Sequence, residues 1–587
     1  MDPLASACER EAHHPFILRH GPTQQMGQRQ PMNADATRGI TRLDLVQWST
    51  QLDRGYGRLY PAEATAILEG IARGVDIEYE GDRLVARFHP NHNSCFEVGV
   101  EVQIDTIVAA DVASGAKAGP FPLDSPPFPT MTICPLGAVP KASGGIRLIV
   151  DMSFPKIVGG DSINSQIVVA TFTLESFDHA TDLVRRFGRG CFLIKFDVEA
   201  AYKQIPVREE DRALLGFIWR GQIYYDRTLP FGLRSSCRLW DMYASALHYF
   251  FRTELDVHCV HYIDDFLFVI PESKGIEFAT RARDAALAMC QRLGLPMAAK
   301  KTEGPTTRLV FLGIQIDTEA MTASLPEHKL ALLTSTLVGW DRPDRRATVK
   351  EMQSLAGQLA FAAKVVRAGR PFMRRIIGEQ HRLRHAAFHA RAHGSTAFFI
   401  SEGARADVRW WAANIRHANG EPIMYDELWT VAADMTLFTD ASKVGYGCSF
   451  QDEWIAGLWT ADHMQQAEGV VRYSMPYLEL YALVLAASAW GRLWRGRKIT
   501  FRCDCMPVVQ AIAKMSSAKP KMQTLVRLLA SNAAEHGFDF RVIHVAGVDN
   551  DRADALSRAN MRLFFQLCPS ASPVGLAVSP LVLDPHA

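Results

Sequence analysis

The chain has 587 residues, 48% of them hydrophobic, and a formal net charge of +1. That is enough chain for several cores, roughly four modules at about 150 residues each, which excludes a peptide or a wholly disordered chain. Apolar stretches such as Leu480 to Trp490 fall short of the ~18 to 20 residues of a spanning helix, and Met1 to Met32 is polar, so neither a membrane anchor nor a signal peptide is expected.

The cysteines are scattered and lack a CxxC pair, so Cys503 and Cys505 read as buried thiols in a reducing, intracellular setting, cytoplasmic or nuclear, and not as zinc ligands. Residues 1 to about 100 carry no interpretable motif. Pro120 to Pro129 (PFPLDSPPFP) reads as an extended connector and marks a boundary. After it, strand-like runs at Ile146 to Val150, Cys191 to Phe196, Val257 to Tyr262, Phe266 to Ile270 and Leu309 to Ile316 alternate with helical stretches at Tyr243 to Phe251 and Ile276 to Leu293. This is the pattern of an α/β sheet domain.

From about Glu319 to Arg416 the pattern is mostly helical and basic, with helices expected over Lys350 to Ala363 and Val366 to Ile377. Between Asp341 and His393 twelve Lys and Arg residues face four acids. Such a stripe is either a solvated face or a groove that neutralises phosphates. The Trp410-Trp411 pair reads as core, and His381-Arg382-Leu383-Arg384 as phosphate-facing charge. From Met435 a second mixed segment begins, in the order three strands, helix, strand, helical region, strand, helix, and Pro569 to Ala587 reads as a loose tail.

Two sets of carboxylates stand out. Asp264 and Asp265 interrupt an apolar hairpin, where burying two adjacent charges is costly unless cations neutralise them. By itself the pair is a solvated turn. Asp197 ends another apolar strand, and three carboxylates at strand ends can hold two divalent ions for in-line phosphoryl transfer. In the second segment Asp440 and Asp504 end strands, Glu479 lies in a helix, and Asp554 lies in a short helix with Asp549, Asn550 and Asp551 as candidate caps. Taken singly, these are turn, cap or solvated helix residues.

In their order and wording the segments resemble reverse transcriptases joined to ribonuclease H, as in long-terminal-repeat and DIRS-like retrotransposons, with Thr348 to Leu359 leaning towards the DIRS-like branch. PKASGGIRLIVD (Pro140 to Asp151) is similar to the fingers segment that grips the triphosphate, which gives that role to Lys141 and Arg147. FDVEAAY resembles the motif with the first metal-binding Asp, which implies Asp197 and Val198 at the metal and nucleotide and Tyr202 under the incoming sugar, excluding a 2′-hydroxyl. LPFGL places Phe231 and Gly232 behind the nucleotide. Lys301, with Lys300 as the open alternative, matches a lysine that protonates pyrophosphate, and Phe311, Leu312 and Gly313 match the primer grip. Asp440, Glu479, Asp504 and Asp554 match the four ribonuclease H carboxylates. His544 resembles a histidine that aids product release, with a packed structural role left equally open.

The resemblance implies an α/β (α+β) multidomain chain, a right-hand polymerase with fingers, palm and thumb followed by a ribonuclease H-like domain. The divisions expected are 1–100 of unknown role, 101–317 fingers and palm, 318–433 basic thumb and connection, 434–558 ribonuclease H-like, and 559–587 tail. It further implies Mg²⁺ at two ions per site, with Mn²⁺ as an alternative. The expected partners are an RNA template, a DNA primer, an RNA-DNA hybrid and deoxynucleoside triphosphates. Two rivals stand beside it: a catalytically silent nucleic-acid binder, and a ribonuclease H whose polymerase region only holds template. Retention of all seven carboxylates argues against the first, and Lys141, Arg147 and Tyr202 against the second.

Overall fold

The computed structural model describes residues 37, 39–141, 144–156, 160–168, 171–391, 394–420, 436–468 and 474–581. The expectations for Met1 to Met32 and for a start at Met435 fall outside these residues. The chain divides into two compact units, Met1–Leu312 and Gly313–Ala587. Among the described residues no helix is long and apolar enough to cross a membrane.

In the first unit the central sheet is built from β1 (Phe192–Asp197), β2 (His258–Tyr262), β3 (Asp265–Ile270) and β4 (Glu303–Thr306), in the order β4-β1-β3-β2. Consecutive residues of a strand point to opposite faces, so the full burial of both Leu193 and Ile194 means that β1 is covered on both sides. Phe196 of β1 stacks on Phe266 of β3 and meets Phe251 edge-on. Phe251 belongs to helix α1 (Ser236–Glu254), whose Leu239, Trp240, Tyr243, Leu247 and Phe250 recur at helical spacing and are all buried. Burying each such side chain contributes about 1.5 to 3 kcal/mol. The same core takes in buried residues of a five-stranded sheet and of the hairpin Leu136–Pro140/Ile146–Val150, in which Val139 pairs with Arg147.

Two expectations change here. The proline-rich stretch separates no packed bodies: Lys117–Phe121, cis at Gly119-Pro120, pairs in the five-stranded sheet with Gln222–Asp226. Nor are the described residues before 100 set apart. Trp48 is fully buried against Tyr243 at 5.6 Å, and its indole N–H donates to the Leu293 carbonyl at 3.0 Å. Trp48 and Leu52 of the helix Leu45–Asp53 and Ile67, Leu68 and Ile71 of the helix Pro61–Arg73 therefore complete the same core, for which the first 100 residues carried no motif.

The second unit holds a five-stranded sheet of β5 (Thr436–Ala441), β6 (Gly445–Phe450), β7 (Glu453–Leu458), β8 (Lys498–Cys503) and β9 (Asp539–His544), in the order β7-β6-β5-β8-β9. β5, β6 and β7 are antiparallel, whereas β8 and β9 run parallel to β5. The helical stretch 313–420 packs into this same unit. Asp407, 1% exposed, pairs with Arg527 at 3.2 Å and Arg375 at 3.6 Å, and Gln523 donates to the Pro371 carbonyl at 3.0 Å. Asp407→Ala leaves the buried Arg527 uncompensated, and chemical denaturation will show a loss of about 3 to 5 kcal/mol in this unit; a loss below about 1 kcal/mol would remove the buried pair from the list of what holds it.

The helix expected over Val366 to Ile377 is instead a 3₁₀ stretch, Arg367–Met373, followed by the helix Arg374–His389. Pro371 has no N–H to continue an α-helix, and Gly369 lies where a Cβ would sit 2.2 Å from Trp411. Trp411 is fully buried core, while Trp410 is half-buried and stacks on Phe372 at 4.0 Å. Much of the basic stripe has partners inside the unit: Arg345 pairs with Glu351, Arg367 with Asp539 and Arg382 with Glu379. The described part of the tail is not loose, because Ser572 and Leu576 donate to the Asp452 and Trp454 carbonyls and Leu581 donates to the Tyr481 hydroxyl.

Candidate active sites

Asp197 is the last residue of β1 and Asp265 the first of β3, and the antiparallel register sets them opposite each other. Residues paired in this way project to the same face. Asp264 sits beside them in the turn between β2 and β3. That turn is held in an uncommon conformation. Ile263 has φ 57, which a β-branched residue rarely adopts, and its carbonyl accepts the Trp240 indole N–H at 2.8 Å. The Asp264 carbonyl accepts the Val198 N–H at 3.1 Å, which ties the turn to the end of β1. Val198 itself is fully buried.

The three carboxylates are crowded in a half-buried place. Burial, then Asp264 and Asp197, push the Asp265 carboxyl up to about 6, and burial with Asp197 raises Asp264. Lys301, rather than Lys300, reaches them: its ammonium donates to Asp197 Oδ2 at 2.7 Å. One exposed ammonium against three carboxylates leaves excess negative charge, so the donor set fits divalent cations with all-oxygen ligands.

Around this face the other candidates form a chain of contacts. The Arg147 guanidinium lies 5.2 Å from the centre of the Phe231 ring, and Phe231 lies 5.3 Å from the ring of Tyr202. Burial, then Cys237, hold the Tyr202 hydroxyl well above its ordinary range, so the side chain stays neutral. Gly232 has φ 108, and a Cβ there would lie 2.2 Å from the Val150 carbonyl oxygen, so only glycine lets this loop lie against the hairpin strand. Lys141 is exposed at the end of that hairpin, its N–H bonded to the Gly145 carbonyl. Phe311 is fully buried, while Leu312 and Gly313 have φ 46 and 78. The Phe311 side chain therefore serves packing.

Sequence reading missed Trp240 and Asn164. Asn164 donates to the Gly232 carbonyl at 2.7 Å and to Ser153 Oγ at 2.8 Å, and accepts the Arg234 N–H at 2.8 Å, so it fixes the loop that carries Phe231. An asparagine 68 residues away in sequence carries no local signal of this.

In the second unit, Asp440 lies near the end of β5, paired with Gly447 of β6. A Cβ at Gly447 would sit 2.4 Å from Leu556, so glycine admits helix α2 (Asp551–Ser557), which carries Asp554, against the sheet. Helix α3 of the site, Met475–Trp490, which precedes α2 in the chain, carries Glu479, whose carboxylate accepts the Ala441 N–H at 3.1 Å. Asp504 follows β8. Burial first, opposed by the Ser557 hydrogen bond at 2.5 Å, then Asp504 and Asp554, bring Asp440 up to about 6. Burial, then Asp440 and Asp504, push Glu479 well above the carboxylate range. The four acids thus share one place, against the exposed Arg558, which donates to Asp554 at 2.6 Å. This set also fits divalent cations.

Cys503 lies within 4.8 Å of the Glu479 and Asp504 ligand atoms, but burial pushes its thiol far up, which keeps it protonated. His544 is exposed at the end of β9, with Nε2 3.2 Å from the Asp504 carbonyl, and is therefore not a packed core histidine. Asn550 does not cap α2 with its side chain, which instead donates to the Thr439 carbonyl at 3.1 Å and so ties the Asp554 helix to the Asp440 strand.

Residues 139–316 match the family described as reverse transcriptase (RNA-dependent DNA polymerase). This segment is a reverse transcriptase domain. It contains Lys141, Arg147, Asp197, Tyr202, Phe231, Asp264, Asp265 and Lys301. Across a longer stretch the chain is 21% identical over 445 residues to the Transposon Tf2-3 polyprotein of Schizosaccharomyces pombe, covering 72% of this chain and 29% of that protein. It is 24% identical over 386 residues to the retrovirus-related Pol polyprotein from transposon gypsy of Drosophila melanogaster, covering 65% and 34%. The chain thus spans about a third of the length of these curated relatives.

Among solved structures it is similar to a foamy viral protease-reverse transcriptase in complex with double-stranded DNA, with 14% identity, coverage of 88% and 84%, and a TM-score of 0.46. The same viral protein in complex with an RNA/DNA hybrid gives 13%, coverage of 85% and 63%, and 0.45. The architecture is a mixed α/β one, a reverse transcriptase domain followed by a C-terminal α/β domain on β5 to β9.

Proposed function

We propose that the chain is the RNA-directed DNA polymerase of a retroelement, with a ribonuclease H that degrades the RNA of the hybrid it makes. The observation that carries the polymerase reading is the placing of Asp197 opposite Asp265, with Asp264 in the locked turn, inside the segment that matches the reverse transcriptase family. The four coupled acids of the second unit support the nuclease reading.

Two divalent ions, most simply Mg²⁺, held by Asp197, Asp264, Asp265 and the Val198 backbone, would supply Lewis-acid stabilisation of the attacking and leaving oxygens. The protein's own residues do the rest. Lys141 and Arg147 bind the triphosphate. Phe231 backs the nucleotide, and the Tyr202 ring occupies the space a 2′-hydroxyl would need. Lys301, already on Asp197, is placed to give a proton to pyrophosphate as the P–O bond to it breaks. Asp440, Glu479, Asp504 and Asp554 would hold the ions of the nuclease site, and His544 stands at its exposed rim.

The test is extension of a labelled DNA primer on an RNA template with Mg²⁺ and deoxynucleoside triphosphates, together with cleavage of the RNA strand in a preformed hybrid. Both activities are expected. A protein that binds template and primer but performs neither with Mg²⁺ or Mn²⁺ is the silent binder instead. Tyr202→Ala is expected to admit ribonucleotides and narrow discrimination about 10- to 100-fold, as for loss of 1 to 3 kcal/mol of steric rejection. Single-nucleotide incorporation of dNTP against rNTP measures it, and unchanged discrimination would strip Tyr202 of that role.

A further inference from the structure

Among the described residues, one further group of potential ligands converges apart from the carboxylate sites: Glu175, His248 and His261. They come from three segments. Glu175 precedes the helix Phe177–Phe187, His248 lies on α1, and His261 is the residue before Tyr262 on β2, behind the candidate catalytic turn. We propose that these three side chains form a zinc site that pins the three segments together beneath that turn.

The three ligand atoms are His248 Nδ1, His261 Nδ1 and Glu175 Oε2. The nitrogens are 3.0 Å apart, and the carboxylate oxygen is 3.5 Å from the first and 3.3 Å from the second. A tetrahedral ion with ligands at about 2.0 to 2.1 Å has ligand-to-ligand edges of about 3.3 Å, so the three atoms already outline one face of such a tetrahedron. Without an ion, Glu175 Oε2 accepts the His261 backbone N–H at 2.6 Å and a single ring N–H lies between the two Nδ1 atoms, 3.0 Å apart; a bound ion would take the place of that proton.

The surroundings fit as well. His261 Nε2 faces Asp241 Oδ1 at 3.3 Å, the arrangement in which a carboxylate takes the far ring N–H and turns the Nδ1 lone pair towards a metal. Glu175 and Asp241 together balance a doubly charged ion. Two imidazoles and one carboxylate suit Zn²⁺ better than Mg²⁺, which prefers oxygen throughout. Glu175 and His248 keep 17% and 21% of their side chains exposed, so an ion has a way in, and the fourth position is left to water.

The experiment uses the full chain, stripped with chelator and titrated with Co²⁺ in excess Mg²⁺, so that the oxygen-rich sites are occupied by Mg²⁺. One equivalent of Co²⁺ is expected to give the intense visible bands of a four-coordinate ion, which Zn²⁺ then abolishes, and Zn²⁺ is expected to raise Tm. His248→Ala and Glu175→Gln lose the bands, and Asp241→Asn weakens Co²⁺ binding about 10- to 100-fold. Wild-type protein that gives no four-coordinate spectrum and no Zn²⁺-dependent Tm overturns the proposal, whatever the variants do. So do bands that persist in a His248→Ala protein with native circular dichroism.

Discussion

Asp264→Asn abolishes primer extension, by at least about 10³-fold, while leaving RNA cleavage in the hybrid intact. The size follows from the role: losing one anionic ligand of a two-metal site removes on the order of 4 kcal/mol of charge stabilisation from the transition state. The substitution keeps the side chain's shape. The turn is held through backbone carbonyls, by Trp240 at Ile263 and by Val198 at Asp264, and both bonds survive it. Retained cleavage by the same protein then separates lost chemistry from lost fold. Because Asp265 must ionise to bind a cation and is held up to about 6, protons compete with the metal below that value. Extension at limiting Mg²⁺ is therefore expected to fall as pH drops through about 6, and to recover when Mg²⁺ is raised. Extension by Asp264→Asn within tenfold of wild type would refute the assignment of the polymerase site.

The second large effect is at Glu479. Glu479→Gln is expected to lower RNA cleavage by about 10³-fold with primer extension unchanged, and at the same time to stabilise the chelator-treated protein. Burial, followed by the neighbouring Asp440 and Asp504, raises the Glu479 carboxyl above its ordinary value of 4.5. A carboxyl whose folded pKa lies above its unfolded one weakens the fold fully at every pH above the folded value, and the penalty shrinks as pH falls below that value and vanishes only below the unfolded one. Gln removes the charge and can still accept the Ala441 N–H. In chelator near neutral pH the variant should therefore melt above wild type, the difference closing as pH is lowered towards 4.5. Asp440→Asn should share the loss of cleavage. A variant that cleaves normally, or melts lower in chelator near neutral pH, contradicts this account of the acid cluster.

Much of both sites was legible because the signals are local. An apolar strand that ends in a carboxylate announces a charge placed at the rim of a core, and Asp197, Asp264, Asp265 and Asp440 all stand in such strings. The strands did form where apolar runs lay, and Leu309 to Ile316 divided in two because Leu312 and Gly313 turn with positive φ. The supports were not legible. Trp240, Asn164, Ser557 and Asn550 act through hydrogen bonds to Ile263, Gly232, Asp440 and Thr439, between 23 and 117 residues away.

The sequence alone determined which residues carry charge into apolar surroundings, and in what order along the chain. That follows from composition and periodicity, since burial of neighbouring apolar residues is what makes an isolated carboxylate conspicuous. Only the tertiary structure decided which charges meet. Strand register set Asp197 against Asp265, and the packing of α2 on β6, allowed by Gly447, brought Asp554 to Asp440. It also drew the helices Leu45–Asp53 and Pro61–Arg73 into the core around Trp48, and it spent Arg345, Arg367 and Arg382 of the basic stripe on internal acids. Pair formation depends on distance in space, which periodicity along a chain does not encode.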